Sequence, residues 1–232
     1  MGLGWIFSVF ITLVVSSFIE AKDASKEVTQ YLIPEDHPIK PALDALFSSS
    51  RATFNLETLE KAGFIKTKPR KYTKLIVTKH AAIPGYVFKL YLDAQRYRKD
   101  LHEHFFWIKR IQGAEKIRSA IAERGIEDLF KVPHKWIYAL PKFPAPPKDY
   151  QYKSYILVEE DMDVLSDREN EQLWASDFVT DEHLDHLFYI LKKIGLRDCV
   201  KPGNIPFSSD GRIAFIDTQS FDEKVIYSNF LQ

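Results

Sequence analysis

The sequence has very little cysteine: Cys199 is the only one in 232 residues. A single thiol cannot form an intramolecular disulfide, and it cannot supply a cysteine-based zinc cluster. An excess charge of either sign is also absent, because 32 Lys and Arg residues balance 32 Asp and Glu residues. Proteins that bind nucleic acids through phosphates usually carry a basic excess. The composition therefore excludes a disulfide framework and argues against nucleic acid as a partner.

The chain has enough apolar material for a substantial core. Hydrophobic residues make up 45% of it and aromatic residues 14%, including 17 Phe and 11 Tyr. This is the composition of an ordinary globular protein, with a length suited to one large domain or two small ones.

The first segment predicts where the protein goes. Residues 2–19 form an uncharged, mostly apolar run, and Lys22 is the first basic side chain. This pattern resembles a secretory signal cleaved after Ala21, so residues 1–21 predict export to a periplasm, a lumen or the outside of the cell. The run is also long enough for an uncleaved membrane anchor, and a buried helix of the fold is a third possibility. Any membrane contact is expected only through this segment.

The next stretch predicts a connector and two short helices. Residues 22–50 are polar and contain three prolines, which is typical of a connector, with a short helix at Ala42–Phe47 at its end. Asn55 is a typical helix-capping residue, and Gly63 is a typical stop signal. We therefore expect a second short helix between them.

The rest of the chain predicts an α+β fold. A helix is expected from about residue 94 to residue 124, broken near Gly113 and ended by Gly125, and another at Asp181–Ile194. The first two predicted strands would form a hairpin joined by residues 81–85. The predicted strands are Lys74–His80, Tyr86–Leu92, Lys135–Leu140, Tyr155–Glu159 and Arg212–Ile216.

Residues 195–221 carry the most informative group of polar side chains. A loop after the helix contains Asp198, Lys201 and Asn204, and an apolar strand then ends in Asp217. Amide and carboxylate oxygens such as those of Asn204 and Asp217 suit a hard cation like Mg²⁺. Asp198 could deprotonate a hydroxyl nucleophile, and Lys201 could neutralise a phosphoryl group in transfer.

This segment resembles the protein-kinase-like superfamily, which includes small-molecule phosphotransferases. Residues 201–205 (KPGNI), 209–212 (SDGR) and 215–217 (FID) are similar to its catalytic loop and metal-binding segment. Asn204 and Asp217 have the separation usual in that superfamily. The resemblance implies ATP and Mg²⁺ as cofactors.

The resemblance extends upstream with less specific motifs. Lys89, in residues 86–89 (YVFK), resembles the strand lysine that holds nucleotide phosphates. Glu103 would be the acid that positions this lysine, with Glu115 as the second choice. Residues 157–160 (LVEE), which include Glu159, resemble the strand and hinge whose backbone receives adenine.

The resemblance also implies a bilobal architecture. A small β-rich N-terminal lobe would occupy residues 51–153, and a helical C-terminal lobe would occupy residues 154–232 of the kinase-like domain. Only fifteen residues follow Asp217. The C-terminal lobe is therefore expected to be reduced.

Two departures from the kinase pattern leave the function open. Asp198 lies six positions before Asn204, with Cys199 where the catalytic acid is expected, and residues 64–74 contain no glycine for a phosphate loop. The chain could be a Mg²⁺- and ATP-dependent phosphotransferase acting on a hydroxyl. It could instead be an exported or tethered, non-catalytic pseudokinase-like module that binds a nucleotide or a protein. A membrane-tethered structural protein is the third class.

Overall fold

The structure, a computed structural model, is a mixed α+β fold, as the sequence predicts. It describes residues 26–65, 74–95, 102–148, 150, 152–196 and 202–223. The predicted signal or anchor at residues 1–21 lies outside this part. Within it, none of the helices combines the length and the apolar character needed to cross a membrane.

Helices and strands occur throughout the described part of the chain. Residues 26–29 are also helical. The helices are α1 (Lys40–Ser49), α2 (Leu56–Lys61), α3 (Glu103–Arg124), α4 (Asp167–Trp174) and α5 (Asp181–Ile194). The strands are β1 (Ile76–His80), β2 (Ile83–Leu90), β3 (Phe130–Lys131), β4 (Lys135–Ala139), β5 (Tyr155–Glu160) and β6 (Ile213–Ala214).

A four-stranded antiparallel sheet forms the centre of the molecule. Its strand order is β1-β2-β5-β4, so β5 lies between β2 and β4. Leu157 and Glu159 of β5 lie opposite Lys89 and Val87 of β2. The expected lobe boundary between residues 153 and 154 therefore needs correction, because it would separate β5 from the sheet that it completes. The sheet ends at Glu160.

The sheet is buried on both faces. On one face, Phe88 and Val158 belong to an apolar cluster that includes Leu43 and Phe47 of α1. Because side chains alternate along a strand, the neighbouring residues point to the opposite face. There, Ile137 and Leu157 cluster with Trp107, Ile108 and Ile111 of α3.

The segment expected to be a connector is part of this packed structure from Val28 onward. Leu32 forms a parallel bridge with Ile137 at the edge of β4. The Ile137 N–H donates to the carbonyl of Tyr31 at 2.8 Å, and the Ile33 N–H donates to the carbonyl of Ile137 at 2.9 Å. Because these contacts extend the sheet, the connector interpretation is wrong for the described residues of this segment.

Helix α3 is shorter at its start than predicted and continuous through its middle. It begins at Glu103 rather than near residue 94, and it ends at Gly125, which has a left-handed φ of 67°. Gly113 does not break the helix. A Cβ at this position would overlap the backbone carbonyl oxygen of Thr218, so the glycine allows the chain to approach the helix closely.

A second core lies below the sheet. It joins the C-terminal half of α3 to α5, and it includes Ile117, Leu187, Phe130 and Phe215. Strand β3, which the sequence analysis missed, pairs in parallel with β6. Strand β6 covers only part of the predicted 212–216 segment, whereas α5 has the predicted bounds. This core places the end of β6, and therefore Asp217, beneath the sheet.

Candidate functional site

A pocket of about 210 Å³ opens between the sheet and the segment that follows β6. Part of its wall is apolar and part is charged, a combination typical of small-molecule sites. The apolar wall includes Leu75, Val77, Val87, Met162, Val164 and Ile216. The polar wall includes Lys89, Arg110, Glu159, Asn204 and Asp217.

Lys89 reaches this pocket from β2. It lies on the same face of the strand as Val87, and only 5% of the residue is exposed. Its Nζ is 2.8 Å from Glu159 Oε1 and donates to the backbone carbonyl of Ile216 at 2.9 Å. The lysine therefore ties the sheet to the residue before Asp217.

Lys135 makes the matching contacts from β4. It lies directly opposite Glu159 in the β4–β5 ladder. Its Nζ is 2.8 Å from Glu159 Oε2 and donates to the Ile216 carbonyl at 3.1 Å. One buried carboxylate and one carbonyl thus share two ammonium groups, which compensates the cost of burying these charges.

Arg110 enters from α3 and holds Asp217. Its Nη1 lies 2.5 Å from Asp217 Oδ1, and its side chain is only 7% exposed. The Nε of Arg110 is buried and has no hydrogen-bond partner among the described residues. A buried guanidinium donor is normally satisfied, so this nitrogen calls for an explanation.

Burial and the neighbouring charges set the protonation of the pocket. Burial lowers the pKa of Lys89 to about 8; Glu159 opposes this shift, and Lys135 and Arg110 add to it. Burial alone would raise the pKa of Glu159, but Lys135 and Lys89 outweigh it, so this pKa falls below its ordinary value.

Asp217 behaves in the same way. Burial would raise the pKa of its carboxyl group, but Arg110, Lys89 and Lys135 together lower it. In this buried group three basic side chains therefore face two carboxylates. Lys79, Glu160 and Asp161 also line the pocket, and Lys79 pairs with Asp161.

Glu103 does not occupy its predicted place. Its Oε1 accepts the backbone N–H groups of Ser154 at 2.5 Å and Tyr155 at 3.2 Å, at the start of β5. The acid that pairs with Lys89 is Glu159. The reason is the late start of α3, which leaves Glu103 in its first turn and places Arg110, two turns further on, over the pocket. Glu115 lines a different pocket on the other side of β4.

Glu159 is in the pocket, but through its side chain. The backbone of β5 is engaged in the sheet on both sides, and the N–H of Asp161 also donates to the Gly85 carbonyl. Beyond the sheet, neither backbone group of Met162 has a hydrogen-bond partner in the described ranges.

The predicted metal ligands lie together, but they do not by themselves fit Mg²⁺. Asn204 and Asp217 both line the pocket. However, Asp217 is already paired with a guanidinium, and the described ranges contain no group of three or more His, Cys, Asp or Glu side chains that could hold a metal. Asp198 and Lys201 lie outside the described residues.

Two residues of the site, Lys135 and Arg110, were not predicted from the sequence. Arg110 lies within the apolar stripe of α3, between Trp107 and Ile111, and a charged residue in such a stripe is a usable signal. Lys135 begins a strand and carries no comparable signal, because only the sheet order places it beside Glu159.

Comparisons with known proteins identify no relative of this chain. The chain matches no protein-family model, no curated protein and no solved structure.

Proposed function

We propose that this chain is a kinase-like module that binds a nucleotide, with ATP as the first candidate, in the pocket beneath the sheet. The observation that carries the proposal is the convergence of Lys89, Asn204 and Asp217 on one pocket. Lys89 bonds the carbonyl of Ile216, which is 127 positions away in the sequence. Proximity in the chain therefore does not explain this meeting.

The order of elements supports the kinase-like part of the proposal. A hairpin carries Lys89, a helix packs on its sheet, two further strands complete that sheet, and helices then lead to a short strand before Asp217. This is the order that the resemblance implies. In such a fold the sheet with α1–α3 would be the N-terminal lobe, and the second core would be a reduced C-terminal lobe.

The two walls of the pocket suit the two ends of a nucleotide. The apolar wall, with the backbone of Met162 at its edge, can hold a base through packing and hydrogen bonds. The basic side chains of Lys89 and Arg110 can hold phosphates, since charge-assisted bonds to phosphate are among the stronger polar contacts.

The pairing of Asp217 with Arg110 favours the non-catalytic form of this function. Phosphoryl transfer by the kinase mechanism needs this acid to hold a metal ion. Phosphotransfer remains the second candidate, favoured by the position of Asn204 beside Asp217. Asp198 would then be the base, and Lys201 would neutralise the phosphoryl group.

A thermal-shift titration of the full chain with ATP, ADP and adenosine tests the binding function. A ligand that binds only the folded state raises the unfolding temperature. We expect ATP to do so, and Lys89→Met to remove most of the effect while keeping the aliphatic stem. Lys61→Met is the matched control, because Lys61 lies exposed on α2, paired with Glu57. No shift with any nucleotide would exclude both candidate functions.

A turnover assay separates the two candidates. With ATP and Mg²⁺ at concentrations that saturate the thermal shift, we expect no ATP consumption above a no-protein control. ATP consumption that both Asp217→Asn and Asp198→Asn abolish would establish the phosphotransferase instead.

A further inference from the structure

Arg110 has more hydrogen-bonding capacity in the pocket than the described residues use. A guanidinium presents five N–H donors in a planar fork. In this structure Nη1 is bound to Asp217, whereas Nε is buried and unpartnered within the described part of the chain. Arg110 also lines the pocket together with Lys89.

We propose that Arg110 binds the ligand's phosphate directly and takes the place of a metal ion, so that this pocket binds nucleotides without Mg²⁺. This inference rests on the proposed nucleotide-binding function. Arg110 would be a specificity-determining residue, and Asp217 a positioning residue that fixes the guanidinium. Lys89 would supply the second positive charge.

The charges next to Asp217 favour an anion over a second cation. In this buried group, Lys89, Lys135 and Arg110 outnumber Glu159 and Asp217 by one charge. Of the other charged residues that line the pocket, Lys79 pairs with Asp161, and the Glu160 carboxylate accepts the His134 N–H. A divalent cation would have to displace Arg110 from Asp217 and would add two positive charges to this group. A phosphate oxygen instead meets these basic groups, and a turn of the guanidinium that exposes the buried Nε would give this donor a partner as well.

The geometry of the guanidinium also suits a phosphate. Arginine binds phosphate through two parallel N–H groups, and its Nε side forms one such pair with a terminal nitrogen. Asp217 holds the fork from one end, so a ligand has to turn the guanidinium only about this contact to reach Nε. The Arg110 backbone is fixed as well, since its carbonyl accepts the hydroxyl of Thr218 at 2.5 Å.

The test is a calorimetric titration of the full chain with ATP, once in excess EDTA and once in excess Mg²⁺. We expect wild-type affinities that agree within about threefold in the two conditions. Arg110→Gln should weaken binding in EDTA by about tenfold or more, the size expected for a lost charge-assisted bond. Arg110→Lys keeps the charge without the planar fork, so its ATP affinity in EDTA should lie between those of the wild type and Arg110→Gln.

Arg118→Gln is the control for the helix. Arg118 also lies on α3, but its guanidinium donates to the Pro133 carbonyl. This variant should bind ATP as the wild type does in both conditions. Unfolding temperatures without ligand verify that each variant is folded. If Arg110→Gln does not fold, Arg110→Lys and the wild-type comparison decide the outcome.

The outcomes separate this inference from the proposed function. Wild-type binding that requires Mg²⁺ would overturn the inference and leave nucleotide binding standing. Equal binding by Arg110→Gln and wild type in EDTA would also overturn it. Absence of ATP binding in both conditions would overturn both.

Discussion

At the scale of single residues, the most unusual feature is the carboxylate of Glu159, shared by Lys89 and Lys135. Removal of one partner from a buried ion pair typically costs about 3–5 kcal/mol, since the remaining charge loses its compensation. A third group, the Ile216 carbonyl, accepts from both lysines and reduces this dependence. The pocket thus keeps a charged lysine at a depth where an isolated ammonium would not be stable.

Nucleotide binding should weaken as pH rises through the Lys89 pKa of about 8. ATP affinity measured by calorimetry at about pH 7 and about pH 9.5 should therefore fall, because Lys89 loses the charge that attracts phosphate. Lys89→Arg stays charged over this range and should show a smaller fall. A wild-type affinity that stays constant would contradict the role given to Lys89.

The stability of the ligand-free protein should change with pH in the opposite direction, because the free energy of unfolding should rise as Lys89 loses its proton. The pKa of Lys89 in the folded state, about 8, lies below its ordinary value of 10.5. Between these values the unfolded chain binds a proton that the folded chain has released. By linkage, this group then adds to the free energy of unfolding as pH rises. The opposite signs distinguish a binding effect from a general loss of structure.

At the scale of elements, α3 connects the sheet to the lower core, and its contact with the chain after β6 depends on one small residue. The backbone carbonyl of Thr218 lies where a side chain of residue 113 would begin. The Thr218 hydroxyl bonds α3 on the same side. This contact brings Asp217 within reach of Arg110.

Gly113→Ala should therefore destabilise the protein although alanine favours helices. We expect a loss of about 1–3 kcal/mol in the free energy of unfolding, as for other overpacked sites. ATP binding should weaken too, because Asp217 moves with Thr218. Denaturant unfolding and ATP titration measure the two effects. Gly203→Ala is the control, since a Cβ there has no atom within 4 Å. Equal stabilities of the two variants would contradict the close approach.

The sequence predicts an element well when residues next to its ends determine where it begins and stops. Helix α5 has the predicted bounds because Thr180 caps its start and Gly195 its end. The predicted start of α3 is wrong because apolar periodicity indicates which face of a helix is buried, but not the residue at which the helix begins. The helix break predicted near Gly113 is wrong because the glycine serves the close approach of the Thr218 backbone, and Thr218 is distant in the sequence. Lys89, Asn204 and Asp217, which the sequence assigns to one site, line one pocket, whereas the contacts of Glu103, Lys135 and Arg110 depend on the tertiary structure.

At the scale of the whole molecule, the residues before α2 are part of the folded unit. Val28, Ile33, Leu43 and Phe47 are each at most 3% exposed. They lie on the sheet or at its edge. The folded domain therefore includes residues 28–47, which precede the expected start at residue 51.

A chain that begins at residue 51 should fail to fold cooperatively, whereas one that begins at residue 26 should unfold in a single transition. The reason is that deletion of residues 26–50 exposes one face of the sheet to water, and burial of apolar surface is the main favourable contribution to folding. Circular dichroism during thermal unfolding distinguishes the two chains. Cooperative unfolding of the shorter chain would restore the connector interpretation of residues 22–50.

The two hydrogen bonds that the Ile216 carbonyl accepts from Lys89 and Lys135 have a consequence for the order of assembly. Every strand of the four-stranded sheet has been synthesised once residue 160 has left the ribosome, but the carbonyl and Asp217 arrive more than fifty residues later. Until then Arg110 lacks Asp217, and of the two carboxylates in this described group only Glu159 is present for the lysines. The charged centre is thus completed by the last part of the described chain, so a nascent chain that stops before residue 216 would hold a sheet with uncompensated positive charge at its base.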